Sequence, residues 1–182
     1  MLLKTDVGEC PVRKMVELMG RDLRWVRTHA LRLEYELRAG DEVAATLRVS
    51  GLFRDHAAAE SADGCWMFER VGFWRNKVRV RVCRAESDTA IFKFSRWGDG
   101  SGVLQLPGGQ KLYATANFWR TEYEFKSVAG EPMLRISSVG LLRENARVDL
   151  HAGAERLPEL VWLVMLGWYL MLTMSVGAAT MR

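Results

Sequence analysis

The most unusual polar feature of this sequence is a run of bases. Between positions 70 and 84 the chain carries Arg70, Arg75, Lys77, Arg79, Arg81 and Arg84 with no acidic residue among them. On an extended chain Arg75, Lys77, Arg79 and Arg81 share one face, and Val78, Val80 and Val82 take the other. Alternate residues of a strand stand about 6.7 Å apart. Such a row can hold phosphate groups, because a guanidinium presents paired N–H donors in one plane that matches two phosphate oxygens. The competing reading is a solvated outer face neutralised by carboxylates on other strands, with Glu34, Glu36, Glu122 and Glu124 as the available partners. Anion binding therefore requires that the row face solvent without such neighbours.

Other residues with chemical potential do not assemble into a recognisable site. His29, His56 and His151 are isolated, with neither the spacing of metal ligands nor a nucleophile signature beside them. Asp99-Gly100-Ser101-Gly102 is out of register with a nucleophile elbow, and Pro107-Gly108-Gly109-Gln110-Lys111 lacks the spacing and the hydroxyl of a phosphate-binding loop. No catalytic residue, metal or cofactor is assigned, and the chain is read as a non-enzyme. Phe73 and Trp74 beside the basic row could stack on bases, but packing at the end of a barrel is the plainer role for them. A net charge of +4, from 26 basic and 22 acidic residues, is too small to indicate a nucleic-acid binder. Cys10, Cys65 and Cys83 form no CxxC pair, so neither a disulfide framework nor a zinc site is indicated, and a reducing compartment is expected.

The elements that must position these residues are mostly strands. The chain is 182 residues long and reads as one domain. Leu31, Leu33, Tyr35 and Leu37 alternate with Arg32, Glu34, Glu36 and Arg38, the period-two pattern of a strand wet on one face. Similar runs lie at 43–49, 65–69, 77–83, 90–94, 103–106, 111–115, 119–125, 133–137 and 147–150, separated by Gly- and Asp-rich turns. Short strands at this spacing without intervening helices mean an antiparallel sandwich or barrel. Near the N-terminus, Val12, Met15, Val16 and Met19 fall at helical spacing and predict a short amphipathic helix.

Residues 160–181 contain no charge and are apolar all the way round, with Pro158 and Glu159 as a helix start. A helix of that kind is either a transmembrane tail anchor or the centre of a large core. A barrel of about ten or more strands is too wide for its own side chains to fill. The inward stripes are apolar, so an apolar helix is the plug such a barrel needs.

The strand series, Asp63-Gly64-Cys65-Trp66-Met67-Phe68-Glu69-Arg70, Ile91-Phe92-Lys93-Phe94, and the closing Leu157-Pro158-Glu159-Leu160 with Leu166-Gly167-Trp168-Tyr169-Leu170 resemble the tubby C-terminal-like superfamily, which includes the phospholipid scramblases and LURP-one-related proteins. The resemblance implies a barrel of twelve strands around a central hydrophobic helix at 157–179, the two further strands coming from residues 12–28. It also implies a non-catalytic domain that binds anionic phospholipid, phosphoinositides included, from the cytoplasm at a membrane surface. Arg75, Lys77, Arg79 and Arg81 are then the expected contacts. The chain lacks the cysteine-rich cluster of the scramblases. A protein-interaction barrel is the alternative.

Overall fold

The computed structural model describes residues 14–51, 54–140 and 145–177, the last three of these by backbone alone. The strands are β1 (Leu23–Arg27), β2 (Leu33–Ala39), β3 (Glu42–Ser50), β4 (His56–Ser61), β5 (Gly64–Val71), β6 (Lys77–Val82), β7 (Ala90–Phe94), β8 (Gly102–Gln105), β9 (Lys111–Ala116), β10 (Glu122–Lys126), β11 (Pro132–Val139) and β12 (Asn145–Leu150), followed by one helix, α1 (Leu160–Gly177). Each strand pairs antiparallel with its neighbours in sequence, and β1 pairs with β12 to close a twelve-stranded barrel. Closure leaves no sheet edge to template aggregation.

The alternation read from the sequence sets which side chains enter the barrel. Tyr35 and Leu37 of β2, Phe68 of β5, Val78 and Val80 of β6, and Tyr123 and Phe125 of β10 are all buried. From Leu160 to Met174 only Gly167 lacks a side chain to bury, and every residue of this stretch is buried. Trp168 stacks on Trp25 of β1 with ring centroids 6.4 Å apart and meets Tyr35 edge-on at 5.5 Å. Tyr169 packs on Phe68 at 5.7 Å. A Cβ at Gly167 would stand 2.7 Å from the Ile136 side chain, so the glycine lets the helix approach β11 closely. Among the described residues no helix is long and apolar enough to cross a membrane. The hydrophobic run is the barrel's core.

Two buried phenols are satisfied by backbone. Tyr123 donates to the Gly100 carbonyl at 3.0 Å and Tyr169 to the Arg54 carbonyl at 2.9 Å. Burial pushes both hydroxyls above the ordinary tyrosine range. At the C-terminal end of α1, Arg54 donates to the Leu172 carbonyl at 2.6 Å and Arg120 to the Met174 carbonyl at 3.3 Å. These cations bind carbonyls near the C-terminus of the helix, that of Met174 having no helical partner, and oppose the negative end of the helix dipole.

Several expectations need correction. Instead of a helix over residues 12–19 there is one 3-10 turn, Met15–Leu18, whose Met15 and Leu18 are buried; positions 12 and 13 lie outside the described residues. The turn stops at Gly20, with φ of 82°, which redirects the chain into β1. Among the described residues of 12–28, only that strand forms. The other additional strand is β4, His56–Ser61. The runs at 31–37 and 119–125 begin too early, because Leu31 and Trp119 sit in turns ahead of β2 and β10.

The cysteine reading also changes, since Cys65 and Cys83 form a disulfide with Cα atoms 5.3 Å apart. They stand 18 positions apart in sequence. The hairpin register pairs Trp66 with Val82, and Cys83 N–H donates to the Cys65 carbonyl at 2.9 Å, so the two side chains meet at the end of the ladder. Cys10 lies outside the described residues.

Candidate functional site

The β5–β6 hairpin decides the fate of the basic row. Gly72 and Arg75 both have positive φ, 94° and 50°, and Arg75 N–H donates to the Gly72 carbonyl at 3.0 Å. The turn therefore ends at Arg75, outside the strand, and its guanidinium pairs with Asp55 at 2.6 Å. Arg79 and Arg81 do share the outer face of β6, as alternation requires. Glu69 lies directly across from Arg79 in the ladder and accepts from both arginines at 2.8 Å. Asp88 stands 4.0 and 3.8 Å from the same two. The carboxylates that neutralise the row are thus Asp55, Glu69 and Asp88, contributed by its own hairpin and flanking turns, and not Glu34, Glu36, Glu122 or Glu124.

Lys77 is different. It faces Lys93 of β7 directly in the ladder, with Val71 of β5 on its other side. Both lysines are exposed, and among the described residues neither has a carboxylate within ion-pair distance. Like charges directly opposite in a sheet destabilise it. At several other places the wall answers such charge locally, although Arg48 of β3 and Lys111 of β9 are exposed and, among the described residues, also without an ion-pair partner. Glu124 takes Lys126 and Arg135 at 2.8 Å each, and although burial works to raise its carboxyl, those two bonds hold it below the usual range. Arg38 pairs with Glu36 and Arg147 with Asp149 in the same way. Just past β7, Arg96 is exposed and also without an ion-pair partner. Lys77, Lys93 and Arg96 therefore present positive charge that the protein itself does not neutralise.

Lys93 was missed as a site residue, although Ile91-Phe92-Lys93-Phe94 shows by alternation that it points outward. Only the β6–β7 register reveals that it faces Lys77. Phe73 and Trp74 do not pack the barrel end as expected, being 91% and 81% exposed. The two rings touch each other, edge to face at 5.0 Å.

The remaining candidates are structural. Ser101 donates both its hydroxyl and its N–H to Asp99, at 2.6 and 2.9 Å, which makes the Asp99–Ser101 segment a side-chain-closed turn. His29 lies 3.3 Å from Glu34 at the surface. Among the described residues no three His, Cys, Asp or Glu side chains come together as metal ligands would. No protein-family model matches the chain, and no curated protein or solved structure matches it either. What the site can do chemically is attract and hold an anion through two opposed ammonium groups and a nearby guanidinium.

Proposed function

We propose that this barrel is a non-catalytic module that binds anionic phospholipid headgroups from the surface of a membrane, as a peripheral protein. The observation that carries the reading is the Lys77–Lys93 pair, two lysines held in register without a carboxylate beside a row whose Arg79 and Arg81 are both paired with Glu69. An external phosphate between them converts an unfavourable cross-strand pair into a favourable one. The resemblance to the tubby-like superfamily supports the same ligand class, and the twelve strands around a buried helix are what that resemblance implies. The burial of α1 supports a peripheral protein over a tail-anchored one.

Cosedimentation with phosphatidylcholine vesicles containing phosphatidylserine or phosphoinositide tests this. Each neutralised cation near an anionic surface is worth about 1 kcal/mol, or roughly fivefold in partitioning. Lys77→Gln with Lys93→Gln is expected to weaken binding more than tenfold at low salt, and wild-type binding is expected to fall as salt screens the attraction. Arg79→Gln with Glu69→Gln should leave binding nearly unchanged, because it removes a cation together with the carboxylate that answers it. A wild-type protein that ignores both vesicle types at low and physiological salt would sink the proposal and leave the protein-interaction barrel in its place.

A further inference from the structure

The turns of this barrel fall into two sets, because every strand is antiparallel to the next. The turns after odd-numbered strands all lie at one end, where the C-terminus of α1 also emerges beside Arg54 and Arg120. That end carries Phe73 and Trp74, Trp97, and Phe118 and Trp119, which are 91%, 81%, 89%, 88% and 72% exposed, together with Leu31 at 98%. Among the described residues these six are the most exposed of the large apolar side chains, and every one of them belongs to this single end.

The turns that display them share a construction. Arg75 N–H donates to the Gly72 carbonyl at 3.0 Å, and Arg120 N–H to the Asn117 carbonyl at 2.9 Å. Both arginines are left-handed, with φ of 50° and 54°. A non-glycine residue is strained in that conformation. In each case the strained arginine closes a tight turn whose two apex residues are a Phe-Trp pair, Phe73-Trp74 and Phe118-Trp119. The rings of each pair meet edge to face, 5.0 and 5.1 Å apart, and are held away from the barrel. Tips of this kind give up burial to stand in water.

Charge divides along the same axis. Among the described residues the turns of the aromatic end hold Arg32, Arg54, Arg75, Arg96 and Arg120 against Asp55 and Asp99. The turns of the opposite end are acidic, with Asp41, Asp63, Glu86, Glu131 and Glu155 among them against the arginines Arg84 and Arg156.

From this polarity we infer that the aromatic end is a membrane-insertion surface: the barrel stands end-on, with Phe73, Trp74, Trp97, Phe118 and Trp119 sunk into the interfacial zone of an anionic bilayer. Tryptophan is favoured at that depth, where an apolar ring body meets a polar edge. The arginines beside the tips lie level with lipid phosphates, and the acidic end faces away. Separate tips spread over the β5–β6, β7–β8 and β9–β10 turns suit a fluid interface, which needs no matching pocket for each. The inference rests on the lipid reading above and adds to it how the domain is oriented and which residues enter the membrane.

The experiment uses vesicles of phosphatidylcholine and phosphatidylserine, with and without brominated acyl chains, and the intact protein. Trp25, Trp66, Trp162 and Trp168 are buried, so bromine quenching of tryptophan fluorescence reports on Trp74, Trp97 and Trp119. Strong quenching by shallow bromines is expected. Trp74→Ser with Trp119→Ser should lower the vesicle partition coefficient at least tenfold, abolish the binding that survives high salt, and leave the circular dichroism spectrum unchanged. Salt-sensitive binding with no quenching, and no effect of the double substitution, would overturn the insertion while leaving headgroup binding intact. Absence of any vesicle binding would overturn both. A tryptophan-dependent dimer in sedimentation velocity without lipid, combined with absence of quenching, would instead assign the end to contact between copies of the chain.

Discussion

Replacing Leu166 by Ala tests whether the central helix is what holds the barrel together. Leu166 is 0% exposed at the middle of α1. Truncating a buried leucine loses the transfer free energy of the removed atoms and adds a cavity term that depends on how far the surroundings can collapse. Here they can collapse little, because every strand is hydrogen-bonded on both sides and the ring is closed. The cost should therefore fall in the upper part of the usual range, about 4 kcal/mol. For a domain of this size that corresponds to a fall in Tm of about 8–16 °C. Urea unfolding followed by far-UV circular dichroism measures it, with an unchanged m-value showing that the native state is otherwise intact. Leu31→Ala is the control, since its side chain is 98% exposed and the change should stay within about 0.5 kcal/mol. Equal midpoints for the two variants would refute a helix buried along its length. Leu166→Asp should go further and abolish soluble folding, because it places an unpaired charge in an apolar interior.

Alkaline pH should destabilise the fold through Tyr123 and Tyr169, whose hydroxyls are raised by burial. With folded values above the unfolded value of about 10, their contribution is complete below that pH and is lost as pH climbs toward the folded values, at about 1.4 kcal/mol per pH unit for each. Comparing urea midpoints at pH 9 and 11 for wild type and for Tyr123→Phe with Tyr169→Phe checks this, and an equal pH effect in both would count against it. The Cys65–Cys83 disulfide closes a loop of 18 residues in sequence separation and should contribute about 3 kcal/mol. Reductant should lower the midpoint of wild type and leave Cys65→Ala with Cys83→Ala unaffected; thiol labelling of protein taken directly from cells then shows whether the pair is oxidised there. Ala59→Leu should cost about 1–3 kcal/mol by overpacking, since Ala59 is 0% exposed in a fully buried layer. A thermal midpoint equal to wild type would mean there is space that the structure does not show.

The strands legible in the sequence were those whose inward and outward residues differ in polarity, as in Leu33 to Leu37 of β2. β4 gave no such signal. Its His56-Ala57-Ala58-Ala59-Glu60-Ser61 has three alanines in a row, which are poor strand formers on average and carry no alternation. Their register, Ala57 with Val49 and Phe68, and Ala59 with Leu47 and Trp66, places them in the sheet. The site was less legible still. Alternation could put Arg79 and Arg81 on one face, but whether a charge is answered depends on which residue lies across the ladder, and that is a property of register. Glu69 opposite Arg79 and Lys93 opposite Lys77 give the two cations contrary meanings.

The same geometry explains why the helix has to be apolar on every side. Successive residues of a helix project about 100° apart, and the twelve strands of the closed barrel divide the circle into steps of roughly 30°. Each residue of α1 therefore points a little over three strands beyond the one before it. The contacts follow that step: Gly167 lies against β10 and β11 through Phe125 and Ile136, Trp168 against β1 and β2 through Trp25 and Tyr35, and Tyr169 against β5 through Phe68. Three consecutive residues sweep most of the wall, so no helical position is spared contact with it and a polar stripe has nowhere to point. A hydropathy reading treats that uniformity as the mark of a membrane span. In this chain it follows from placing one helix at the axis of a closed sheet, and the alanines at 45, 57 and 59 of β3 and β4 are what leave it room.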